Sequence, residues 1–316
     1  MQRPGIVLLN DSLLLLTAVI WGLAFVAQRA GMDFVGPFTY NAVRFALGSI
    51  ALLPLIVIRG RGAPAAGPLH APGTRPSMPI GAVRAGLLAG VILIFGASLQ
   101  QIGLVYTTAG KAGFVTGLYV VLVPLSGLLW RQKTEWSAWT GAALCVVGLF
   151  LLSVTSSFAV ERGDLIVLAG SFFWAAHVQV VGWLSPRTDP VRLACVQFAV
   201  CSAASTVGAL AFEQPQWSSI LSAAVPILYG GILSVGVAYT LQVVAQRRAP
   251  PSHAAILLSL ESVFAALGGA LFLGERLGTR GTLGCALMFT GMIVSQVPAL
   301  LSRNRPPGPA AAHRLP

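Results

Sequence analysis

The chain has 316 residues, of which 56% are hydrophobic and only 9% charged, with mean hydropathy +0.81. A soluble domain carries about 25% charged residues, so this composition excludes a water-soluble fold of this size. The net charge of +11 could suggest a nucleic-acid partner, but its distribution along the chain argues for membrane topology instead, and no nucleic acid is expected.

Runs of about 20 apolar residues read as transmembrane helices. Ten follow in chain order: Ser12–Gln28, Phe38–Ile58, Ala85–Tyr106, Gly110–Trp130, Ala138–Val154, Leu165–Leu184, Leu193–Phe212, Ala223–Val244, Pro251–Leu273 and Gly281–Leu300. Barrel strands would alternate in polarity over about ten residues. Leu13-Leu14-Leu15-Leu16 does not alternate, so the expectation is an all-α polytopic membrane protein. The first span follows Arg3 like a signal peptide, but nine spans succeed it without a clear small-residue cleavage site, and it is read as a retained helix.

Between the second and third spans, Gly60–Met78 is rich in Pro, Gly and Ala and reads as a flexible cytoplasmic linker (loop 60–78). The tail 302–316 has a similar composition and is expected to be a disordered cytoplasmic segment. With a cytoplasmic N-terminus, one face holds Arg3, Arg59, Arg61, Arg75, Arg84, Arg131, Lys133, Arg187, Arg192, Arg247, Arg248, Arg303, Arg305 and Arg314. The other holds Arg29, Lys111, Arg162, Arg276 and Arg280, with Arg44 inside a span. The positive-inside rule then places both termini in the cytoplasm of an inner or plasma membrane, with some affinity for anionic lipid.

The chain repeats itself. Trp21 precedes Arg44 by the same interval that separates Trp174 from Gln197. Lys111-Ala112-Gly113-Phe114 matches His253-Ala254-Ala255-Ile256, and in that register Tyr119 falls on Glu261. Gly141 and Gly148 match Gly284 and Gly291. The halves are residues 1–155 and 160–301, with five spans each. Five is odd, so the second half enters from the opposite side and the repeat is inverted. Such repeats are typical of transporters, whose substrate sites lie at the midplane between the halves.

Glu261 stands near the middle of an apolar span, where an Asp costs about 2.5–3.5 kcal/mol on insertion scales. It reads as a proton-titrating or substrate-cation-binding carboxylate, or as a buried acid tied into an interhelix network. Arg44 could hold a substrate carboxylate, pair with Glu261, or snorkel to the interface. Lys111 sits at a span end, where snorkelling competes with a substrate role. His177 could relay protons or be a hydrogen-bonded packing residue. Trp21 and Trp174 occupy matching places and could form aromatic walls. Gln197, Gln100, Gln101, Gln179, Tyr239 and Gln242 form a second tier of polar residues within spans. Tyr119, as the repeat-mate of Glu261, is favoured to face the cavity.

Cys145, Cys195, Cys201 and Cys285 all fall within spans without a CxxC pair, so neither a metal site nor a cofactor is expected. There is no GxxxxGK[ST] loop for an ATP motor, and no HExxH or GxSxG for an enzyme.

The ordered motifs Ala18-Val19-Ile20-Trp21-Gly22, Val43-Arg44-Phe45, Thr108-Ala109-Gly110-Lys111-Ala112-Gly113-Phe114 through Pro124, Ser259-Leu260-Glu261-Ser262, and Leu273-Gly274-Glu275 resemble the EamA-type transporters of the drug/metabolite transporter superfamily. The resemblance covers about residues 12–300. Two departures stand out: Arg131-Gln132-Lys133 replaces the first Leu-Gly-Glu, and Ser262 replaces a frequent Pro. The resemblance implies a ten-helix secondary carrier working by alternating access, commonly exporting a small metabolite or drug. Its expected partners are that small-molecule substrate, membrane lipids and protons, with the chain acting as a monomer or homodimer. The competing readings are a flippase for a lipid-linked substrate and, from a different class, a non-transport scaffold or intramembrane enzyme.

Overall fold

The computed structural model describes residues 4–60, 80–129, 135–153, 161–274 and 278–302. The linker 61–79, the tail from Arg303, and Trp130, Arg131, Gln132, Lys133, Glu275 and Arg276 lie outside the described residues.

Every element in the described residues is helical. In lipid only a helix or a closed barrel satisfies its own backbone polar groups, and the long apolar runs choose the helix. The first half contains α1 (Pro4–Gly31), α2 (Pro37–Gly60), α3 (Ala82–Leu104), α4 (Ala109–Gly117), α5 (Tyr119–Leu129) and α6 (Trp136–Ser153). The second half contains α7 (Arg162–Leu184), α8 (Pro190–Phe212), the short α9 (Trp217–Ser222), α10 (Ala224–Leu228), a π-helical stretch Tyr229–Tyr239, α11 (Thr240–Ala245), α12 (Pro251–Leu258), α13 (Glu261–Phe272) and α14 (Thr279–Ser302).

Eight helical stretches among the described residues are long and apolar enough to cross a membrane. Two of these are composites, Ala109–Leu129 and Pro251–Phe272. A shorter apolar helix spans Trp136–Gly148. Large apolar side chains such as Leu8, Ile50, Phe95, Val207 and Leu271 point outward and exposed, as a lipid-facing surface requires.

Both composite spans break in the middle, at positions that match in the repeat. Around Leu118 the backbone tightens to i→i−3 bonds, Leu118 N to Val115 O and Val121 N to Leu118 O. Around Leu260 it does the same, Leu260 N to Leu257 O and Val263 N to Leu260 O. Local chemistry explains each break. Gly117 ends α4 and Pro124 cannot donate to the carbonyl of Val120. In the second half Ser259 Oγ donates to Ile256 O at 2.8 Å, and serine back-bonding of this kind bends helices. Ser262 Oγ then donates to Gly113 O at 2.6 Å, tying one broken span to the other.

The halves pack reciprocally. Helix α2 lies against α8, and α6 against α14; α1 packs on α13 while α7 packs on α4 and α5. With no hydrophobic force between helices in lipid, association depends on close packing at small residues. Gly141 and Gly291 meet this way: a Cβ on either would come within 2.7 Å of the other's carbonyl oxygen. Gly103 and Gly163 repeat the arrangement between α3 and α7. Gly22 packs against Phe264 and lies so close to α13 that a Cβ there would stand 2.6 Å from Glu261 O.

Gly22→Leu is expected to destabilise the protein by about 1–3 kcal/mol through overpacking, read as a lower unfolding temperature in detergent. Gly81→Ala, where a Cβ meets nothing within 4 Å, should leave it unchanged; equal effects would show that the α1–α13 approach is not tight.

Candidate functional site

The two helix breaks put Tyr119 and Glu261 at the first residue of α5 and α13. Both are 3% exposed. The backbone stays hydrogen-bonded through each tightened turn, so the turns redirect these two side chains without leaving free helix ends. The phenol of Tyr119 faces the Glu261 carboxylate within electrostatic reach, but its hydroxyl makes no hydrogen bond of good geometry.

Glu261 and Tyr119 line a cavity of about 30 Å³ together with Trp21, Phe25, Gln28, Arg44, Gln100, Thr116, Trp174, Val178, Ser234, Tyr239 and Gln242. That volume holds about one water molecule, so the central site is occluded. A larger open groove of about 620 Å³ lies at the ends of α2, α3 and α8, lined by Ile56, Val83, Arg84, Arg192 and neighbours. It contains none of the buried polar residues of the centre, and the central cavity is therefore the candidate site despite its size.

Aromatic rings wall the cavity. Trp21 and Tyr239 lie with centroids 4.5 Å apart, and Trp174 stacks on Tyr239 at 6.1 Å. His177 meets both Trp174 and Tyr239 edge-on at 6.1 Å, behind this wall, and its Nε2 is 3.0 Å from Gln197 Oε1. Trp21 Nε1 donates to Ser234 O at 3.2 Å and Tyr229 hydroxyl to Ile20 O at 3.0 Å, while Thr17 Oγ1 shares its hydrogen between Leu13 O at 2.8 Å and Ala238 O at 3.2 Å. Helix α1 is thus fastened to the π-helical stretch, a form found frequently at functional sites. A polar chain runs from Gln28 Oε1, which accepts from Gln100 Nε2 at 3.0 Å, to Thr116, whose hydroxyl donates to Gln100 Oε1 at 3.4 Å.

Arg44 is 1% exposed and does not snorkel. Its Nε donates to Asn41 Oδ1 at 2.9 Å, and its guanidinium lies over Phe45 and Tyr40 at 4.8 and 5.4 Å. It forms no ion pair with Glu261 among the described residues, although both reach the same cavity.

Of the residues singled out in the sequence, the cavity gathers Glu261, Arg44, Tyr119, Trp21 and Trp174, with Gln100, Tyr239 and Gln242 from the second tier. His177 and Gln197 bond to each other behind the wall. Lys111 lies away from the cavity and pairs with Glu161 at 2.9 Å. Its repeat-mate His253 pairs with Asp11 at 2.7 Å, so each half ties the start of its fourth span to the first span of the other half. Phe25, Gln28, Thr116, Val178 and Ser234 enter the lining without having been singled out. Cys145, Cys195 and Cys201 are free and buried, and the described residues contain no cluster of three or more metal-ligating side chains.

The structure thus sets a buried carboxylate and its repeat-mate at the tightened turns of two matching spans. The EamA-like transporter family model matches the sequence twice, over residues 8–154 and 161–296. The chain belongs to the EamA-like transporter family. Among proteins similar to it, an "uncharacterized transporter" of Archaeoglobus fulgidus is 29% identical over 282 residues, covering 89% of this chain and 83% of that protein. The uncharacterized transporter YwfM of Bacillus subtilis is 24% identical over 284 residues, covering 89% and 91%. A solved crystal structure superposes with a TM-score of 0.72 over 96% of this chain and 99% of that one at 18% identity, a likeness of fold. This EamA-like chain is a multi-pass membrane protein, and the family and its relatives make it a membrane transporter.

One further contact frames the site. Glu213, just past α8, accepts from the backbone N–H groups of Phe38 and Thr39, both at 2.8 Å, and from Thr39 Oγ1 at 2.5 Å. It caps α2, the helix that carries Arg44, from the other half. Glu213→Ala should cost about 0.5–2 kcal/mol, the range for a lost helix cap, seen as a lower unfolding temperature. Lys111→Ala should cost under about 1 kcal/mol, since its ion pair is solvent-exposed. The reverse order would mean that the Lys111–Glu161 pair, not the Glu213 cap, holds the halves together.

Proposed function

We propose that the protein is a secondary transporter that moves a small metabolite or drug-like solute by alternating access, working as an exporter coupled to protons through Glu261. The observation that supports it best is the buried Glu261–Tyr119 pair. A residue that faces its own repeat-mate across one cavity lies near the axis relating the halves. A carboxylate on that axis can be presented to either face with little displacement of its own, as a proton-exchanging group in a rocking carrier must be.

In this reading ten transmembrane helices form two inverted five-helix halves. The eight long apolar stretches are completed by α6 and α14, which pack together at matching places in the two halves. The repeat-matched pairs Lys111–Glu161 and His253–Asp11 then sit at opposite faces and close one path each. The occluded cavity of about 30 Å³ is an intermediate between the open forms, because drug-sized sites need about 300–1,000 Å³. Both termini are cytoplasmic, in an inner or plasma membrane. Without an ATP-binding loop in the chain, an ion gradient supplies the energy.

The test is pH-gradient-driven uptake into proteoliposomes of pooled amino acids, nucleosides, organic acids and cationic drugs, wild type beside Glu261→Gln. The expected outcome is gradient-dependent uptake in the wild type that falls at least about tenfold in the variant, the scale of one lost charge-assisted interaction. Uptake that is equal in the two proteins and indifferent to the gradient would refute proton coupling and leave a facilitator.

A further inference from the structure

The central cavity holds more unused hydrogen-bond donors than a closed wall should. The Tyr119 hydroxyl and Gln242 Oε1 are buried without a partner, and so are three N–H donors, Arg44 Nη2, Trp174 Nε1 and Gln242 Nε2, whose side chains all line the same space. They come from α2, α7 and α11, so both halves contribute. An unmade buried N–H costs the full desolvation of that group, and a buried cation without its counter-charge costs more. Among the described residues no carboxylate lies within 4 Å of the Arg44 guanidinium. Its remaining contacts are Asn41 and two aromatic faces, which pin the group in place and leave Nη2 for something else.

The three N–H donors match an acceptor group, while Gln242 Oε1 is left for a hydrogen from the Tyr119 hydroxyl or a water. A carboxylate offers about four lone-pair sites on two oxygens, enough for an arginine contact and two further N–H bonds. Around them the wall is flat and apolar: Trp21, Phe25 and Tyr239 supply ring surface, and Val178 adds a methyl-bearing face. Glu261 lines the same cavity, and its ionised form repels any anionic group there, so the acid is bound with Glu261 protonated and a second negative group on the ligand is disfavoured.

We propose that this cavity, once the helices part from the water-sized form described above, binds a small aromatic monocarboxylate, its anionic head held by Arg44, Trp174 and Gln242 and its flat body lying among Trp21, Phe25 and Tyr239. The proposal rests on the transporter reading above and narrows it to organic acids. Arg44 sets the charge of the accepted head, and Trp174 and Gln242 add hydrogen bonds to it.

The experiment uses the purified full chain in detergent and three probes of one shape: phenylacetate, phenylacetamide and phenethylamine. Unfolding temperature is followed as each is titrated to millimolar concentration. Phenylacetate should raise it, and the neutral amide and the amine should not. Arg44→Gln should abolish the effect. Trp174→Phe keeps the ring face but removes the indole N–H, and should weaken the apparent affinity about tenfold, the scale of one hydrogen bond to a charged group. Unliganded unfolding of each variant checks that it folds, so the phenylalanine variant tests the idea even where the glutamine variant does not fold. Stabilisation by phenethylamine instead, no shift with phenylacetate, or a phenylacetate shift unchanged in the folded variants would overturn the proposal. Liposome uptake of the pooled solutes separates the two levels. Transport of other solutes without acid binding sinks the organic-acid inference alone, whereas no transport of any solute sinks the carrier reading beneath it.

Discussion

A charged group inside a bilayer must be compensated by the protein, because lipid offers no hydrogen bonds and no counter-ions. In this chain that constraint falls on Arg44 and Glu261, each almost fully buried within an apolar span. The rest of the architecture accommodates them. Two spans break so that Glu261 and Tyr119 begin half-helices, and Ser262 bonds the broken spans to one another. Helix α1 runs past both, close enough at Gly22 that no side chain fits against α13. Arg44 is steadied from below by Asn41 and from its faces by Phe45 and Tyr40. The helix that carries it is anchored at its start by Glu213 of the other half.

Much of the centre was legible in the sequence because charge is so rare within spans. Glu261 and Arg44 stood out for that reason alone, and the repeat register nominated Tyr119 by placing it on Glu261. The structure brings those three side chains to one cavity with Trp21 and Trp174. The family was legible too, from short motifs in a fixed order. Other features left no such signal. Gln28 closes the first predicted span and looked like a boundary residue, yet it bonds Gln100 inside the protein. Hydropathy sees only that a segment is apolar, so it cannot tell a continuous span from one broken at Leu118 or Leu260. The two breaks even have different local causes, a glycine and proline in one half and a serine back-bond in the other. Glu213 falls between two predicted spans with nothing in the sequence to single it out, and only the fold shows it reaching the start of α2.

Lys111 and His177 teach opposite lessons about polar residues in apolar sequence. Lys111 stands at a helix start, and the structure pairs it with Glu161 near the surface. His177 is fully interior, but the aromatic wall of Trp174 and Tyr239 stands between it and the cavity lining, and Gln197 takes its ring nitrogen. Depth within a span thus does not fix whether a side chain faces the cavity. The face of the helix decides that, and the face follows from which neighbouring helices carry small residues.

The weave between α1 and the π-helical stretch bears on how such a carrier could move. Trp21, Thr17 and Tyr229 make three bonds across that interface, each to a backbone carbonyl rather than to a partner side chain. Carbonyls recur at every turn of a helix, so a donor that leaves one can find the next after a short slide. Closed packing of glycine against glycine between α6 and α14 offers no such replacement partner and favours rotation about a fixed contact. The buried carboxylate lies with the first interface: α1 is the helix that presses directly on the backbone of Glu261. A displacement of α1 would change the surroundings of that carboxylate directly, whereas the glycine contact between α6 and α14 does not involve it.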